Sequence, residues 1–285
     1  MGLNSQVDAT VQSPNRTHSE KSRPAAESKA RTGLLVPVSD VENWLHRLYI
    51  EADSATLRLE DRRKAAEVAA MLEEIARMLA RCSRKQQFTL VDAAAGKSYV
   101  GLLCAKLVLE PSDRKAAVIT LEQDPQRVEA SRRAVEILGS HIPICCLEAR
   151  VEDAVHWPAE PSMVVALHAC GGASDAIIDR SIVTRARTLL LAPCCTGKSV
   201  AAISRALTRA AEIGIPRHAA VRRRFAQAMV DAERTLRLEA AGYETEVVEF
   251  VAPTVTPHHL LWRARYVGEP RRMEAAQKQY HLLCH

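Results

Sequence analysis

The sequence has no run of about eighteen apolar residues, the length that a helix needs to cross a lipid bilayer. Its first residues also lack the charged and then apolar order of a secretory signal. We therefore expect a cytoplasmic protein with no membrane partner. The 285 residues, of which 47% are hydrophobic, suffice for one large α/β domain with an appendage.

The cysteines lack the C-x-x-C spacing of a structural zinc site. His168, Cys170, Cys194 and Cys195 follow two neighbouring strands, but adjacent cysteines seldom hold one metal ion, so we expect no metal. The chain has eight cysteines and no secretory signal, which predicts reduced thiols rather than a disulfide framework.

The chain also lacks a strong excess of one charge, because its formal net charge is only +5. This balance permits binding to a polyanion without requiring it. Basic residues cluster at Arg62-Arg63-Lys64, at Arg222-Arg223-Arg224 and at Arg271-Arg272. Each cluster is more typical of a solvated helix face than of an RNA contact.

Composition divides the chain into four parts. Residues 1–33 are polar and have hardly any aliphatic periodicity, which predicts a tail outside the fold. Residues 34–85 carry apolar positions at helical spacing and form a helical segment before the first strand. The α/β domain spans 86–268, and 269–285 is a C-terminal tail.

Short apolar segments alternate with helical ones after residue 86, which predicts parallel strands covered by helices on both faces. The last two strands read as a hairpin-like pair. We therefore expect an α/β, Rossmann-like fold with a seven-stranded, mostly parallel sheet and an antiparallel terminal strand. The predicted strands are Phe88–Val91, Val118–Leu121, Ile144–Leu147, Met163–Leu167, Thr188–Leu191, Tyr243–Val251 and Leu260–Val267.

The most informative segment is the first strand, which ends at Asp92 and passes through small residues into a helix. Small residues let a ligand approach the backbone, and the helix N-terminus presents free N–H groups. The second strand ends at Glu122, a carboxylate placed to accept hydrogen bonds from ribose hydroxyls. We predict a site for an adenosine-containing cofactor, contacted by Asp92, Ala94, Gly96, Lys97, Glu122, Gln123, Val151, Glu152 and His168.

Three cofactor classes use a strand, turn and helix of this kind. A phosphate-binding loop would need a glycine where Val91 stands, and a dinucleotide fingerprint would need outer glycines that are absent around Gly96. S-adenosylmethionine is cationic at its amino and sulfonium groups and has no pyrophosphate, so it suits an acidic residue before a small-residue turn. Asp92, Ala94, Gly96 and Ser98 fit this pattern, although an ordinary buried turn would have similar residues.

Chemically active side chains follow the third, fourth and fifth strands, whose carboxyl ends should border one crevice. His168 is a candidate general base, or a donor that orients the acceptor, because imidazole titrates near neutrality. A structural histidine bonded to a neighbouring loop would look the same. The catalytic candidates are His168, Cys170, Asp175 and Cys194, with either cysteine as a methyl-accepting nucleophile.

Several motifs together resemble a family of S-adenosylmethionine-dependent methyltransferase domains. They are Val91-Asp92-x-x-x-Gly96-Lys97-x-Tyr99-x-Gly101, Leu167-His168-Ala169-Cys170-Gly171-x-x-Ser174-Asp175, Pro193-Cys194-Cys195 and Thr256-Pro257. That family includes tRNA 2′-O-methyltransferases and the methyltransferase domain fused to glutathione-transferase-like modules. The resemblance covers roughly residues 60–268. This chain departs from the pattern in having Ala94 and Ser98 at glycine positions and in lacking the Cys/His zinc modules of the tRNA enzymes.

The resemblance implies a class I methyltransferase domain over 86–268, S-adenosyl-L-methionine as cofactor, and an RNA acceptor such as tRNA or rRNA. No obligate protein partner is evident. Other functions stay open at this point: methylation of a small molecule or protein, a cofactor-binding module without catalysis, and a nucleotide binder that resembles a phosphate-binding loop.

Overall fold

A computed structural model describes residues 35–51, 56–194 and 200–284. The predicted tail over 1–33 lies outside these residues, and so does Cys195. No helix within the described ranges is long and apolar enough to cross a membrane.

The centre of the molecule is one sheet of seven strands, in the order β3-β2-β1-β4-β5-β7-β6. Strands β1 to β5 pair in parallel, and β7 is antiparallel to both β5 and β6. This confirms the predicted fold class, including the antiparallel terminal strand. The strands are β1 (Phe88–Ala93), β2 (Ala116–Glu122), β3 (Ile144–Glu148), β4 (Met163–Ala169), β5 (Thr188–Pro193), β6 (Tyr243–Glu249) and β7 (Leu260–Tyr266).

Helices cover both faces of the sheet, which is why the parallel strands are apolar without a break. Successive strand residues enter opposite cores because strand side chains alternate in direction. Leu90 belongs to one core and Val91 to the other. The helices are α1 (Val38–Tyr49), α2 (Leu59–Leu79), α3 (Tyr99–Cys104), α4 (Pro125–Leu138), α5 (Gly172–Val183), α6 (Ala201–Glu212), α7 (Ala219–Ala240) and α8 (Pro270–Cys284).

Helices α1 and α2 occupy the segment that precedes the first strand, and they pack into the same core as Leu90. Leu72 and Ile75 of α2 are fully buried there, which stabilises the fold by about 1.5–3 kcal/mol for each side chain. Arg114 binds the end of α2 by donating hydrogen bonds to the Leu79 and Cys82 carbonyl oxygens. The helical segment is therefore part of the domain's core.

The C-terminal segment differs from the sequence prediction. The predicted C-terminal tail over 269–285 is wrong for most of its length, because α8 occupies Pro270–Cys284 and packs against α7 through the buried Ala276. Its apolar positions are few, so the periodic signal was weak.

Candidate active site

The turn between β1 and α3 is held by Asp92. This carboxylate is 2% exposed, and its Oδ2 accepts a hydrogen bond of 2.8 Å from the Gly101 backbone N–H. A Cβ atom at position 101 would lie 3.0 Å from the same Oδ2, so the close approach requires glycine. Burial raises the pKa of Asp92 to about 7, an effect opposed by the Gly101 N–H and reinforced by the charge of Glu122.

Three residues of this turn have a left-handed backbone: Ala94, Gly96 and Ser98, with φ of 54°, 60° and 57°. Only glycine adopts this conformation without strain, so Ala94 and Ser98 are held in it by their surroundings. One such contact is the Tyr49 hydroxyl, which donates to the Lys97 carbonyl oxygen at 2.6 Å. The end of α1 therefore helps to fix a turn in which alanine and serine occupy two of the left-handed positions.

Glu122, at the end of β2, links two turns. Its Oε2 accepts from the Gly96 N–H at 2.7 Å, and its Oε1 accepts from the Asp124 N–H at 3.0 Å. An ionised carboxylate has about four acceptor positions, so two remain for a ligand. A carboxylate on the Gly96 amide would repel a phosphate there, which argues against the interpretation as a phosphate-binding loop.

A cavity of about 510 Å³ opens at the carboxyl edge of the sheet, within the usual range of 300–1,000 Å³ for small-molecule sites. Several sequence-predicted residues line it: Ala94, Glu122, Gln123, Val151, Glu152, His168 and Cys170. Apolar walls from Ala94 and Val151 beside the Glu122 carboxylate suit a nucleoside, whose base is flat and whose ribose donates hydrogen bonds. The residues present therefore fit an adenosine-containing cofactor.

Three predicted cofactor contacts do not line this cavity: Asp92, Gly96 and Lys97. Asp92 is buried against α3, and the Gly96 N–H is bonded to Glu122. The Lys97 side chain is exposed, with its Nζ 5.7 Å from the centre of the Tyr49 ring. In this structure the three residues shape the turn that forms one wall of the site.

Asp175 is not part of the cavity, contrary to its prediction as a catalytic residue. Its carboxylate accepts two hydrogen bonds from Arg234 of α7, at 3.0 and 3.2 Å, and a third from Arg237 at 3.3 Å. The Arg234 side chain is only 1% exposed. A buried guanidinium requires a paired carboxylate, so Asp175 serves the packing of α5 on α7.

Cys170 and Cys194 are joined as a disulfide, with Cα atoms 5.5 Å apart. The prediction of reduced thiols is therefore wrong for this pair, and neither sulfur is available as the predicted methyl-accepting nucleophile in this structure. The cause is the parallel pairing of β4 with β5, which sets their following loops side by side. Cys82, Cys104, Cys145, Cys146 and Cys284 are free thiols.

His168 lies where β4 leaves its regular pairing. The register with β5 shifts between Leu167 and Ala169, and His168 has a left-handed φ of 63°. Its Nε2 lies 2.8 Å from Oε2 of Glu67 in α2, and its ring centre lies 6.2 Å from that of His258. Irregular strand geometry of this kind often redirects a side chain beside an active site.

Sequence reasoning missed several residues of the site. The cavity is also lined by Arg127, Arg150 and Ala173. Each of them follows a predicted strand end by a few positions, and this position is the signal that could have indicated them. Glu67 had no sequence signal beyond being a charge within an apolar helical pattern, since its partner is 101 residues away. Among the residues that the structure describes, no three His, Cys, Asp or Glu side chains are arranged to hold a metal ion.

Residues 63–201 match the family model of a methyltransferase domain. The chain has no significant match among curated proteins. One similar solved structure is the S-adenosylhomocysteine-bound methyltransferase PaMTH1 of Podospora anserina, with 14% identity, a TM-score of 0.46, and coverage of 81% of this chain and 89% of that one. Another is magnesium protoporphyrin IX methyltransferase of Synechocystis, with 13% identity, a TM-score of 0.45, and coverage of 80% and 99%.

A third is the ribosomal protein L11 methylase of Lactobacillus delbrueckii, with 9% identity, a TM-score of 0.41, and coverage of 73% and 80%. These structural similarities are too low to indicate an acceptor. The family match assigns residues 63–201 to a methyltransferase domain. The strand order and the cavity at the carboxyl edge agree with an S-adenosyl-L-methionine-dependent methyltransferase domain of class I, Rossmann-like fold.

Proposed function

We propose that this protein transfers a methyl group from S-adenosyl-L-methionine to an RNA acceptor, tRNA or rRNA. The bound cofactor supplies an electrophilic methyl group on a sulfonium. Glu122 would hold the ribose hydroxyls, and Val151 and Glu152 would border the adenine. The protein's own task is to align the acceptor, to take up a proton and to exclude water.

The observation that carries the RNA proposal is the position of the basic cluster Arg62-Arg63-Lys64. Lys64 donates to Glu67 at 2.6 Å, and Glu67 contacts His168 at the cavity. Residue 63 precedes Glu67 by one helical turn, which is about 6 Å along the axis. The Arg62 side chain is 59% exposed, and Arg63 is exposed as well. Arg62 Nη1 lies 3.8 Å from Glu42 Oε2, a distance that leaves this exposed guanidinium able to exchange its partner for a phosphate. The exposed Arg62 and Arg63 side chains would therefore bind phosphates of an RNA acceptor that reaches the cavity from α2.

The test uses unmodified tRNA and rRNA transcripts with S-adenosylmethionine labelled in its methyl group. We expect label in RNA from the wild type. The double variant Arg62→Ala/Arg63→Ala should bind RNA more weakly. Its slope of log affinity against log salt should be shallower by about 1.4, because each single-strand phosphate contact contributes about 0.7.

The matched control is Arg223→Ala/Arg224→Ala, which removes two exposed arginines of α7 that do not line the cavity. It should leave the salt slope unchanged. An equal effect of both double variants would contradict a local RNA site. Transfer to a small molecule or a protein, with none to RNA, would replace the RNA proposal with one of those acceptors.

A further inference from the structure

Glu67 is a charged residue in the apolar interior, only 5% exposed on the buried side of α2. Burying a carboxylate is unfavourable unless it is paired and hydrogen-bonded. Its Oε2 lies 2.6 Å from Nζ of Lys64 and 2.8 Å from Nε2 of His168. Burial raises the pKa of Glu67, but the hydrogen bonds from His168 and Lys64 outweigh burial and lower the pKa below its usual value. Glu67 is therefore an ionised hydrogen-bond acceptor.

An ionised carboxylate can only accept hydrogen bonds, so the Nε2 of His168 must carry a proton. In the neutral imidazole this leaves Nδ1 with a lone pair. Nδ1 is buried and has no hydrogen-bond partner among the described residues. A buried polar atom without a partner calls for an explanation, and an acceptor molecule that donates an O–H or N–H would provide one.

The other charged or titratable groups near the ring come from α2, from the loop between β6 and β7, and from the segments that follow β4 and β5. Lys64 lies on α2 beyond Glu67, and His258 lies in the loop between β6 and β7. The sulfur atoms of Cys170 and Cys194 lie 3.5 and 3.6 Å from the His168 carbonyl oxygen and are joined to each other. Glu67 is thus the carboxylate that touches the ring.

We propose that Glu67 is the positioning residue of the acceptor site, holding His168 in the Nε2-protonated tautomer so that Nδ1 receives the acceptor's proton. This inference rests on the proposed methyl transfer. A bond forms between the acceptor oxygen or nitrogen and the methyl carbon, while the methyl–sulfur bond breaks and its electron pair stays on sulfur. The acceptor's proton passes to Nδ1, so the positive charge lost from the sulfonium appears on the imidazolium. The substrate class is an acceptor atom that carries a proton.

Helix α2 therefore takes part in the chemistry, because it carries Glu67 and the acceptor site is incomplete without it. Glu74 provides a matched control. It is a second carboxylate on α2, 4% exposed, and it pairs with Arg77 and with Arg263 of β7. It does not line the cavity.

The experiment is nitrogen NMR of the protein with labelled histidine rings, with His168→Gln identifying the His168 signals. We expect the Nε2-protonated tautomer in the wild type, in Glu74→Gln and in Glu67→Asp. Glu67→Gln should give a mixture of both tautomers, because an amide can either donate to Nε2 or accept from it. With an RNA substrate, kcat of Glu67→Gln should fall about 100-fold or more while KM stays unchanged, because a positioned general base contributes a rate factor of about this size.

An Nδ1-protonated ring in the wild type would overturn the inference, even if Glu67→Gln failed to fold. A single unchanged tautomer in Glu67→Gln would overturn it as well. Titration with S-adenosylhomocysteine separates this inference from the proposed function. If the wild type does not bind this ligand, the methyl-transfer proposal fails, whereas the tautomer result alone decides the role of Glu67.

Discussion

Replacing Asp92 with Asn should change how stability depends on pH. The buried carboxyl has a pKa raised from 3.8 to about 7, chiefly by burial. The unfolded carboxyl is already ionised at pH 5, so the folded state binds more protons between pH 4 and 7. The protonated carboxyl therefore contributes stability that is fully present below pH 4 and is lost as pH rises through about 7.

The magnitude follows from the shift itself. The pKa of Asp92 rises by about three units on folding, from 3.8 to about 7. About two of these units lie between pH 5 and pH 8, and each unit corresponds to about 1.4 kcal/mol of stability. The wild type should therefore lose about 3 kcal/mol more than Asp92→Asn over this range. The amide keeps the shape of the side chain, and its oxygen still accepts from the Gly101 N–H, so the comparison isolates the charge.

Urea unfolding at several pH values, followed by circular dichroism, measures this difference. Glu148→Gln, which removes an exposed carboxylate at the end of β3, shows the effect of losing a surface charge. Parallel curves of stability against pH for the wild type and Asp92→Asn would refute the reasoning. They would mean that Asp92 is ionised in the folded state without an appreciable cost.

Two further substitutions test the assignments around the site. Asp175→Asn should lower the free energy of unfolding by about 3 kcal/mol because the buried Arg234 loses its charged partner, and it should leave the affinity for S-adenosylhomocysteine unchanged. The control is Asp179→Asn, because the Asp179 side chain is 63% exposed; this variant should lower the free energy of unfolding by less than about 1 kcal/mol. A large loss of affinity for S-adenosylhomocysteine in Asp175→Asn would instead indicate that Asp175 takes part in the site. Gly101→Ala should lower the free energy of unfolding by about 1–3 kcal/mol, because the added Cβ would lie 3.0 Å from Asp92 Oδ2. A melting temperature equal to that of the wild type would contradict this close contact between position 101 and Asp92.

The sheet could be predicted from the sequence because its signals are local. Each parallel strand is a short apolar run, and α4 shows the full set of end signals, with Asp124 as N-cap, Pro125 in its first turn and Gly139 in a left-handed C-cap. Strand ends then indicated where Glu122 and His168 would lie, because parallel strands share one carboxyl edge.

The pairing of side chains could not be predicted in the same way. Asp175 follows a strand end and so resembled a site residue, but its position on α5 directs it to Arg234 of α7, 59 residues away. Glu67 belongs to a helix that the sequence places before the first strand, and only the packing of α2 on the sheet brings it to His168. Side-chain direction and long-range packing decide these contacts, and neither has a periodic signature.

The central claim is that the cavity at the carboxyl edge binds S-adenosylmethionine through Glu122, and calorimetric titration with S-adenosylhomocysteine tests it most directly. The wild type should bind with micromolar affinity, about 8 kcal/mol, and Glu122→Ala should lose this binding. Glu148→Ala should keep it, because Glu148 pairs in register with Glu122 but does not line the cavity. No binding by the wild type, equal binding by Glu122→Ala, or binding of Mg-ATP in place of the nucleoside would contradict the account.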